Sequence, residues 1–454
     1  MSFQDTIIAP ATAPGIGAIA VIRLSGTEAI NITKQVFRGK DLTLVNSHTL
    51  HFGTIRDDDN NILDEVLVSV FKAPHSFTKE NIIEISTHGS PYIVKKIIQL
   101  LIHKGARTAK AGEFTQRAFI NGQFDLAQAE AVADLIASDS EIAHQTAMNQ
   151  MRGGFSKNIK QLREQLIHFA SMIELELDFG EEDVEFADRE DLKQLIHKLL
   201  KVIIPLVQSF DLGNVIKEGI PTVIAGKPNV GKSTLLNALL NEEKAIVSDV
   251  PGTTRDYIED EIVIEGIKFR FVDTAGLRDT DDKVEAIGVA RSKEQLNKAS
   301  LILYLFDAEE LGDNNSLQKE LDEIKTLKIP YLFIANKLDT IKEKEITKYT
   351  EDFVFISANI GTNLNKLKEL ILQKVGANNF KSGDTIITNI RHYEGLSHTQ
   401  QSLEKVLKAL NNNITGDFLA MDIRQALHHL GELTGTITTD DLLDNIFSKF
   451  CIGK

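Results

Sequence analysis

The stretch GKPNVGKS, Gly226 to Ser233, has the residue types and spacing of a phosphate-binding loop, set between the apolar run IPTVIAG and the helix-forming run TLLNALLN. Backbone N–H groups from Gly226 through Asn229, Val230 and Gly231, and on to Thr234 at the helix start, can cradle a β-phosphate. Lys232 can reach the β and γ oxygens, and Ser233 can ligate Mg2+. Downstream, SDVPGTT supplies Ser248, Asp249, Val250, Pro251, Gly252, Thr253 and Thr254, the last a second Mg2+ ligand that also senses the γ-phosphate. DTAG (Asp273, Thr274, Ala275, Gly276) adds a carboxylate and a backbone N–H beside the same phosphate. NKLD (Asn336, Lys337, Asp339) and SAN (Ser357, Ala358, Asn359) follow as a base pocket. A carboxylate there accepts from the ring N1–H and the exocyclic amine of guanine, a donor pair that adenine does not offer. The nucleotide is therefore GTP.

The order of these motifs resembles the Ras-like GTPases. One position departs from them: where a Ras-like switch carries the glutamine that orients the attacking water, this chain has Leu277, which makes no hydrogen bond to water. The side-chain oxygen of Asn229, the backbone oxygens of Ser248 and Val250, and Thr253 can hold a K+ that neutralises charge in the transition state. The residues alone leave open a plainer role for Asn229, tying the loop to the switch region. Glu285 can orient the water, or serve only as a solvated surface residue.

These loops need a scaffold. From Ile220 onward, apolar strands (KFRFVDTAG, LILYLFDA, PYLFIANKLD, DFVFISA) alternate with helices, as in a doubly wound parallel α/β sheet. Before it, GAIAVIRLSG, DEVLVSVF and NIIEIST read as strands and PYIVKKIIQLLIHKGA as one amphipathic helix, giving a compact α+β domain. Long helices occupy the stretch between and return after the α/β unit, broken at RGGFS and at LDFGEEDVEFADRED, which reads as a solvated connector. The expected organisation is multidomain α+β and α/β: an N-terminal domain at 1–120, a helical domain split into 121–215 and 381–454, and an inserted α/β domain at 216–380.

The chain has 454 residues, a net charge of −15 and one cysteine. That charge disfavours tight unaided binding to a phosphate backbone, so an RNA substrate would need a basic partner or a local patch. One cysteine excludes an internal disulfide framework and suits a reducing compartment. The N-terminus lacks a basic n-region and no stretch reaches about 18 successive apolar residues, so the expected location is cytoplasmic with no membrane span.

GKPNVGKS, DVPGTTRD and DTAGLR, together with SFTKENIIEISTHGS, GEFTQRAFINGQFDLAQAEAVADLI and the terminal CIGK, resemble the TrmE family of bacterial and organellar tRNA-modification GTPases along essentially the whole chain. The resemblance implies K+-stimulated GTP hydrolysis, a homodimer whose G domains also pair, and Glu285 as the water-positioning glutamate. It implies an N-terminal domain that dimerises and binds a tetrahydrofolate derivative (5,10-methylene or 5-formyl) through Arg23, Glu80 and Lys454. A further contact falls on Gln123, where many relatives carry lysine. It also implies a partner subunit, MnmG (GidA), that uses FAD and NADH in a heterotetramer or larger complex. Together they would add a carboxymethylaminomethyl-type group to carbon 5 of the wobble uridine, U34, of certain tRNAs. If the helical tail folds back onto the folate site, Cys451 stands near the one-carbon unit and takes part in its transfer; otherwise it is a small packing residue. The alternative is a regulatory switch GTPase, as in ribosome assembly, with non-catalytic flanking domains.

Overall fold

The computed structural model describes residues 5–178, 188–243, 260–271, 299–312, 315–341, 353–375, 386–412 and 416–453. The chain forms two compact units: Met1–Ala137, Ala147–Ile204 and Glu394–Lys454 in the first, Ser138–Thr146 and Pro205–Tyr393 in the second.

The first unit is built on a seven-stranded sheet. Its strands are β1 (Ile7–Pro10), β2 (Gly17–Ser25), β3 (Phe37–Gly39), β4 (Thr49–Arg56), β5 (Ile62–Phe71), β6 (Ile82–Gly89) and β7 (Arg107–Thr108), in the order β3-β4-β5-β6-β2-β1-β7. Every pairing is antiparallel except β1 with β7. Strand β5 shows why one face becomes core: Val66, Val68 and Val70 are buried, while Glu65 and Leu67, alternating with them, are exposed. Helices α1 (Ala29–Val36) and α2 (Pro91–His103) cover that face. α2 starts with Pro91 in its first turn, where the missing N–H costs nothing, and buries Ile97, Leu100 and Leu101. Each of these side chains contributes roughly 1.5–3 kcal/mol by leaving water. On the other face, Ile7 and Ala9 pack with Ala109 and with Phe114 of α3 (Glu113–Ile120).

Helices α4 (Leu126–Ala137), α5 (Glu141–Met151), α6 (Gly154–Asp178) and α7 (Arg189–Gln208) follow, with the α5–α6 break at the RGGFS sequence. The helix Gly416–Thr434 lies along α6. The last helix, Asp440–Phe447, is capped by the Thr439 hydroxyl, which accepts from the Leu442 N–H at 3.3 Å. It packs Leu443, Ile446 and Phe447 against Leu126 and Ala129.

After α8 (Phe210–Glu218), the second unit holds a six-stranded sheet of β8 (Ile220–Ala225), β9 (Asp260–Ile264), β10 (Ile267–Phe271), β11 (Leu301–Asp307), β12 (Tyr331–Asn336) and β13 (Val354–Phe355), ordered β13-β12-β11-β8-β10-β9. It is parallel except at the edge, where β9 and β10 pair antiparallel. The two residues joining them, Glu265 and Gly266, both have positive φ, and so short a turn can only reverse the chain. Both faces are covered, which is why β11 is a continuous apolar run. Leu235, Leu236 and Leu239 of α9 (Lys232–Glu243) pack on one side, and Leu317, Leu321 and Ile324 on the other.

Arg189–Glu218 is long and apolar enough by length and composition to cross a membrane. Its buried residues, Leu192, Leu195, Ile196, Leu199, Ile203 and Leu206, form one stripe, and Gln194, Lys198 and Lys201 are exposed on the opposite side. That is the pattern of a helix lying against a protein core.

Candidate functional site

The phosphate-loop residues lie between the end of β8 and the first turn of α9, at the carboxyl end of a parallel sheet, where open α/β folds bind ligands. Gly226 sits at φ +143°, and a Cβ there would come within 2.0 Å of the Leu305 carbonyl oxygen on β11. Gly231, at φ +97°, leaves no room for a Cβ beside the Asn336 amide, 2.3 Å away. Only glycine allows the backbone to pass this close to both strands. Asn229 takes φ +64°, a left-handed conformation that asparagine tolerates. The Lys232 ammonium donates to the carbonyls of Gly226 at 2.8 Å and Lys227 at 2.7 Å, folded over the loop. Burial pushes its pKa below that of an ordinary lysine. An arriving phosphate would supply the negative charge this group lacks.

Ser233 and Thr234 stand in the first turn of α9, the helix end that favours a bound anion. Asn336 is 3% exposed and joins phosphate loop to base pocket. Its Nδ2 donates to the Val230 carbonyl at 2.8 Å, and its Oδ1 accepts from the Ala358 N–H at 2.9 Å. Asp339 accepts from the Ser357 hydroxyl at 2.6 Å, a bond that lowers the carboxyl pKa and fixes its orientation. Lys337 donates to Asp307 at 2.7 Å, and this partner raises its pKa. Asn359 is exposed at the open side of the pocket. The arrangement can receive a guanine on Asp339 and polyphosphate on the loop. Ser248, Asp249, Val250, Pro251, Gly252, Thr253, Thr254, Asp273, Thr274, Ala275, Gly276, Leu277 and Glu285 lie outside the described residues. Among the described residues, Asn229 alone stands for the K+ set and Ser233 alone for the Mg2+ set.

The second constellation is in the first unit. Arg23 on β2 pairs with Glu84 on β6 at 2.7 Å, and its guanidinium lies over the rings of Phe77 and Phe114, 5.9 and 5.8 Å from their centroids. Ser25, two residues along the same strand face, donates to Glu80 at 2.6 Å. Gln123 lines a cavity of about 400 Å³ with Phe77, Phe71, His48 and His75. The loop carrying Gln123 is stapled to the loop carrying Glu80: Asn121 donates to the Thr78 carbonyl at 2.7 Å and Lys79 to the Gly122 carbonyl at 2.7 Å.

The C-terminal tail comes back to this place. Ile452 forms an antiparallel bridge with Ala111, the Cys451 carbonyl accepts from the Gly112 N–H at 3.3 Å, and the Gly453 carbonyl accepts from Arg23 at 3.5 Å. Cys451 is exposed, and Lys454 lies outside the described residues. Arg23, Glu80, Gln123 and Cys451 thus fall in one region of one unit. Sequence reasoning missed Phe77, Phe114 and Glu84 around Arg23, and the buried pair Glu113–Arg117. The i, i+4 spacing of that pair in GEFTQR was the available signal.

Residues 6–123 match a family model described as GTP-binding protein TrmE N-terminus, and residues 126–451 one described as MnmE helical domain. The tRNA modification GTPase MnmE of Cytophaga hutchinsonii is 59% identical over 452 residues, covering 99% of this chain and 98% of that protein. Its counterparts in Christiangramia forsetii (52%, 100% of both chains) and Bacteroides thetaiotaomicron (48%, 99% and 100%) are similar throughout as well. Among solved structures, Era bound to MgGDPNP and a 16S ribosomal RNA segment is 29% identical over 40% of this chain and 66% of that one, with a TM-score of only 0.26. From identity that runs end to end and two family models that together span nearly the whole sequence, the chain belongs to the MnmE family of tRNA modification GTPases.

Proposed function

We propose that this GTPase works as a K+-stimulated homodimer with an FAD- and NADH-using MnmG subunit, adding a carboxymethylaminomethyl-type group to carbon 5 of U34 in tRNA. Lys232 binds the β and γ phosphates, Ser233 and Thr254 hold Mg2+, and Asp339 reads guanine. Asn229, Ser248, Val250 and Thr253 hold the K+, which does electrostatically what the missing switch glutamine and an arginine finger do elsewhere. Glu285 orients the water. A tetrahydrofolate derivative binds in the region of Arg23, Glu80 and Gln123, with Lys454 completing the site, and supplies one carbon. The work takes place in the cytoplasm.

The observation that supports this reading best is the return of the tail: Gly453 meets Arg23, so the only thiol in the chain lies within the region assigned to the folate. A packing role would leave Cys451 buried, and it is exposed. A switch with inert flanking domains has no need of such a placement. The test is nucleoside analysis of tRNA from cells lacking the protein, complemented with the intact chain or with Cys451→Ser. The modified wobble uridine returns with the intact chain and not with the variant. An unchanged wobble nucleoside in the deleted strain would overturn the tRNA-modification assignment at U34, and full rescue by the variant would remove the thiol from the chemistry.

A further inference from the structure

Arg117 is the largest fully buried side chain in the described structure, 0% exposed, and it carries a charge. A guanidinium in that position is costly unless its donors are matched by anions. Its Nη2 donates to Asp5 Oδ1 at 2.7 Å and to Glu113 Oε1 at 3.0 Å, while Nη1 donates to the Asp5 backbone carbonyl at 2.8 Å and lies 3.3 Å from both carboxylate oxygens of Glu80. Arg107 grips the far side of the same acids, at 2.5 and 2.9 Å to Glu113 and 2.6 Å to Asp5.

The bonds are unequally shared. Asp5 and Glu113 each receive short charge-assisted bonds from two arginines. Glu80 receives one short bond, from the Ser25 hydroxyl to Oε2, and two longer contacts from Arg117. With three carboxylates facing two guanidiniums, the uncompensated negative charge rests on Glu80. Its orientation is fixed all the same: Ser25 is tied to Thr78 at 2.7 Å, and the Glu80 carbonyl accepts from Ser76 at 2.5 Å.

A carboxylate held still, largely shielded from water and incompletely paired is suited to a neutral planar edge with two adjacent N–H donors, such as the 2-amino-4-oxopyrimidine edge of a pterin. We infer that Arg117, reaching no ligand itself, is a positioning residue that aims the Glu80 carboxylate at such an edge. The inference rests on the folate reading given above.

The test is a titration of the full-length protein with 5-formyltetrahydrofolate, with GTP turnover as the check on folding. Arg117→Lys, which keeps the charge but loses the forked donors, weakens binding about tenfold and leaves GTP turnover unchanged. Ser25→Ala removes the other anchor without stranding a buried charge, and weakens binding several-fold. The deciding measurement is Arg117→Lys made in a Glu80→Gln background. A residue that acts through Glu80 has no further effect there, whereas a general structural role gives the same tenfold loss in both backgrounds. That additive result, or normal binding by Arg117→Lys, overturns the positioning role while the folate reading stands. No binding by the intact chain overturns both.

Discussion

Asp339 and Glu113 are both carboxylates held by specific partners, and they lead to different consequences. Asp339 accepts from the Ser357 hydroxyl, which fixes its orientation, and on the proposed reading its carboxylate pairs with the guanine donors. In Asp339→Asn the side chain presents an amide N–H where the guanine amine needs an acceptor, so kcat/KM for GTP falls by about 100-fold or more, and xanthosine triphosphate, with a carbonyl at that position, becomes the better substrate. Steady-state turnover of the two nucleotides measures this directly; unchanged preference would place the base elsewhere. Glu113 works through its charge. Burial opposes its ionisation, but hydrogen bonds from Arg107, the Lys110 N–H and Arg117 outweigh burial and hold its pKa below the ordinary 4.5. A depressed carboxyl stabilises the folded state fully above 4.5 and loses that contribution as pH falls through its folded value. Glu113→Gln therefore costs about 3 kcal/mol near neutrality, because it strands buried arginine charge. The gap between variant and intact chain narrows below pH 4.5. Hydrogen exchange in Glu113–Ile120 at neutral and acid pH reads both effects.

At the scale of elements, the tail depends on one glycine. Gly453 has φ +95°, and a Cβ there would meet the Pro10 carbonyl oxygen at 2.1 Å. Gly453→Ala should undock the last residues, abolish wobble modification in a complementation assay and leave GTP turnover intact; retained modification would mean that docking is dispensable. Much of this layer was legible in the sequence. The alternation in DEVLVSVF, the apolar run LILYLFDA and the stripe in PYIVKKIIQLLIH each map onto the strand or helix they predict, because burial on one or both faces leaves a period in the sequence. The nucleotide motifs were legible because within each of GKPNVGKS, NKLD and SAN the residues that act lie side by side in the sequence. The edge pairing of β9 was not anticipated, although the Glu265–Gly266 turn that dictates it is visible in the sequence. The grouping of Arg23 with Phe77, Phe114 and Gly453 was beyond reach, since contacts across 430 residues leave no local pattern. Only family resemblance could suggest it.

At the scale of the whole molecule, the proposed homodimer needs a surface on which two copies can meet. The outer face of the first unit's sheet offers one. Phe52 on β4 and Leu67 on β5 are directly opposed, with Leu50 two residues from Phe52 on the same face, and all three are exposed, Phe52 by 66%. Two solvated strands ordinarily alternate apolar inward and polar outward, and here Leu50, Phe52 and Leu67 are apolar at outward positions. A contiguous apolar patch of this kind is uncommon on a monomer. A twofold axis through it would bring Phe52 and Leu67 of one copy against the same residues of the other, burying large side chains on both at once. Phe52→Glu with Leu67→Glu puts two negative charges per copy into that contact, in a chain already at −15, and so adds repulsion to the lost burial. Burial of each side chain is worth roughly 1.5–3 kcal/mol and counts twice by symmetry, so the double variant should be monomeric at micromolar concentration in sedimentation velocity, with the intact chain expected to sediment as the proposed dimer. Neither residue belongs to the core that α1 and α2 cover, so the variant's circular dichroism and basal GTP turnover should match those of the intact chain. A variant that sediments as a dimer would move the interface off this sheet.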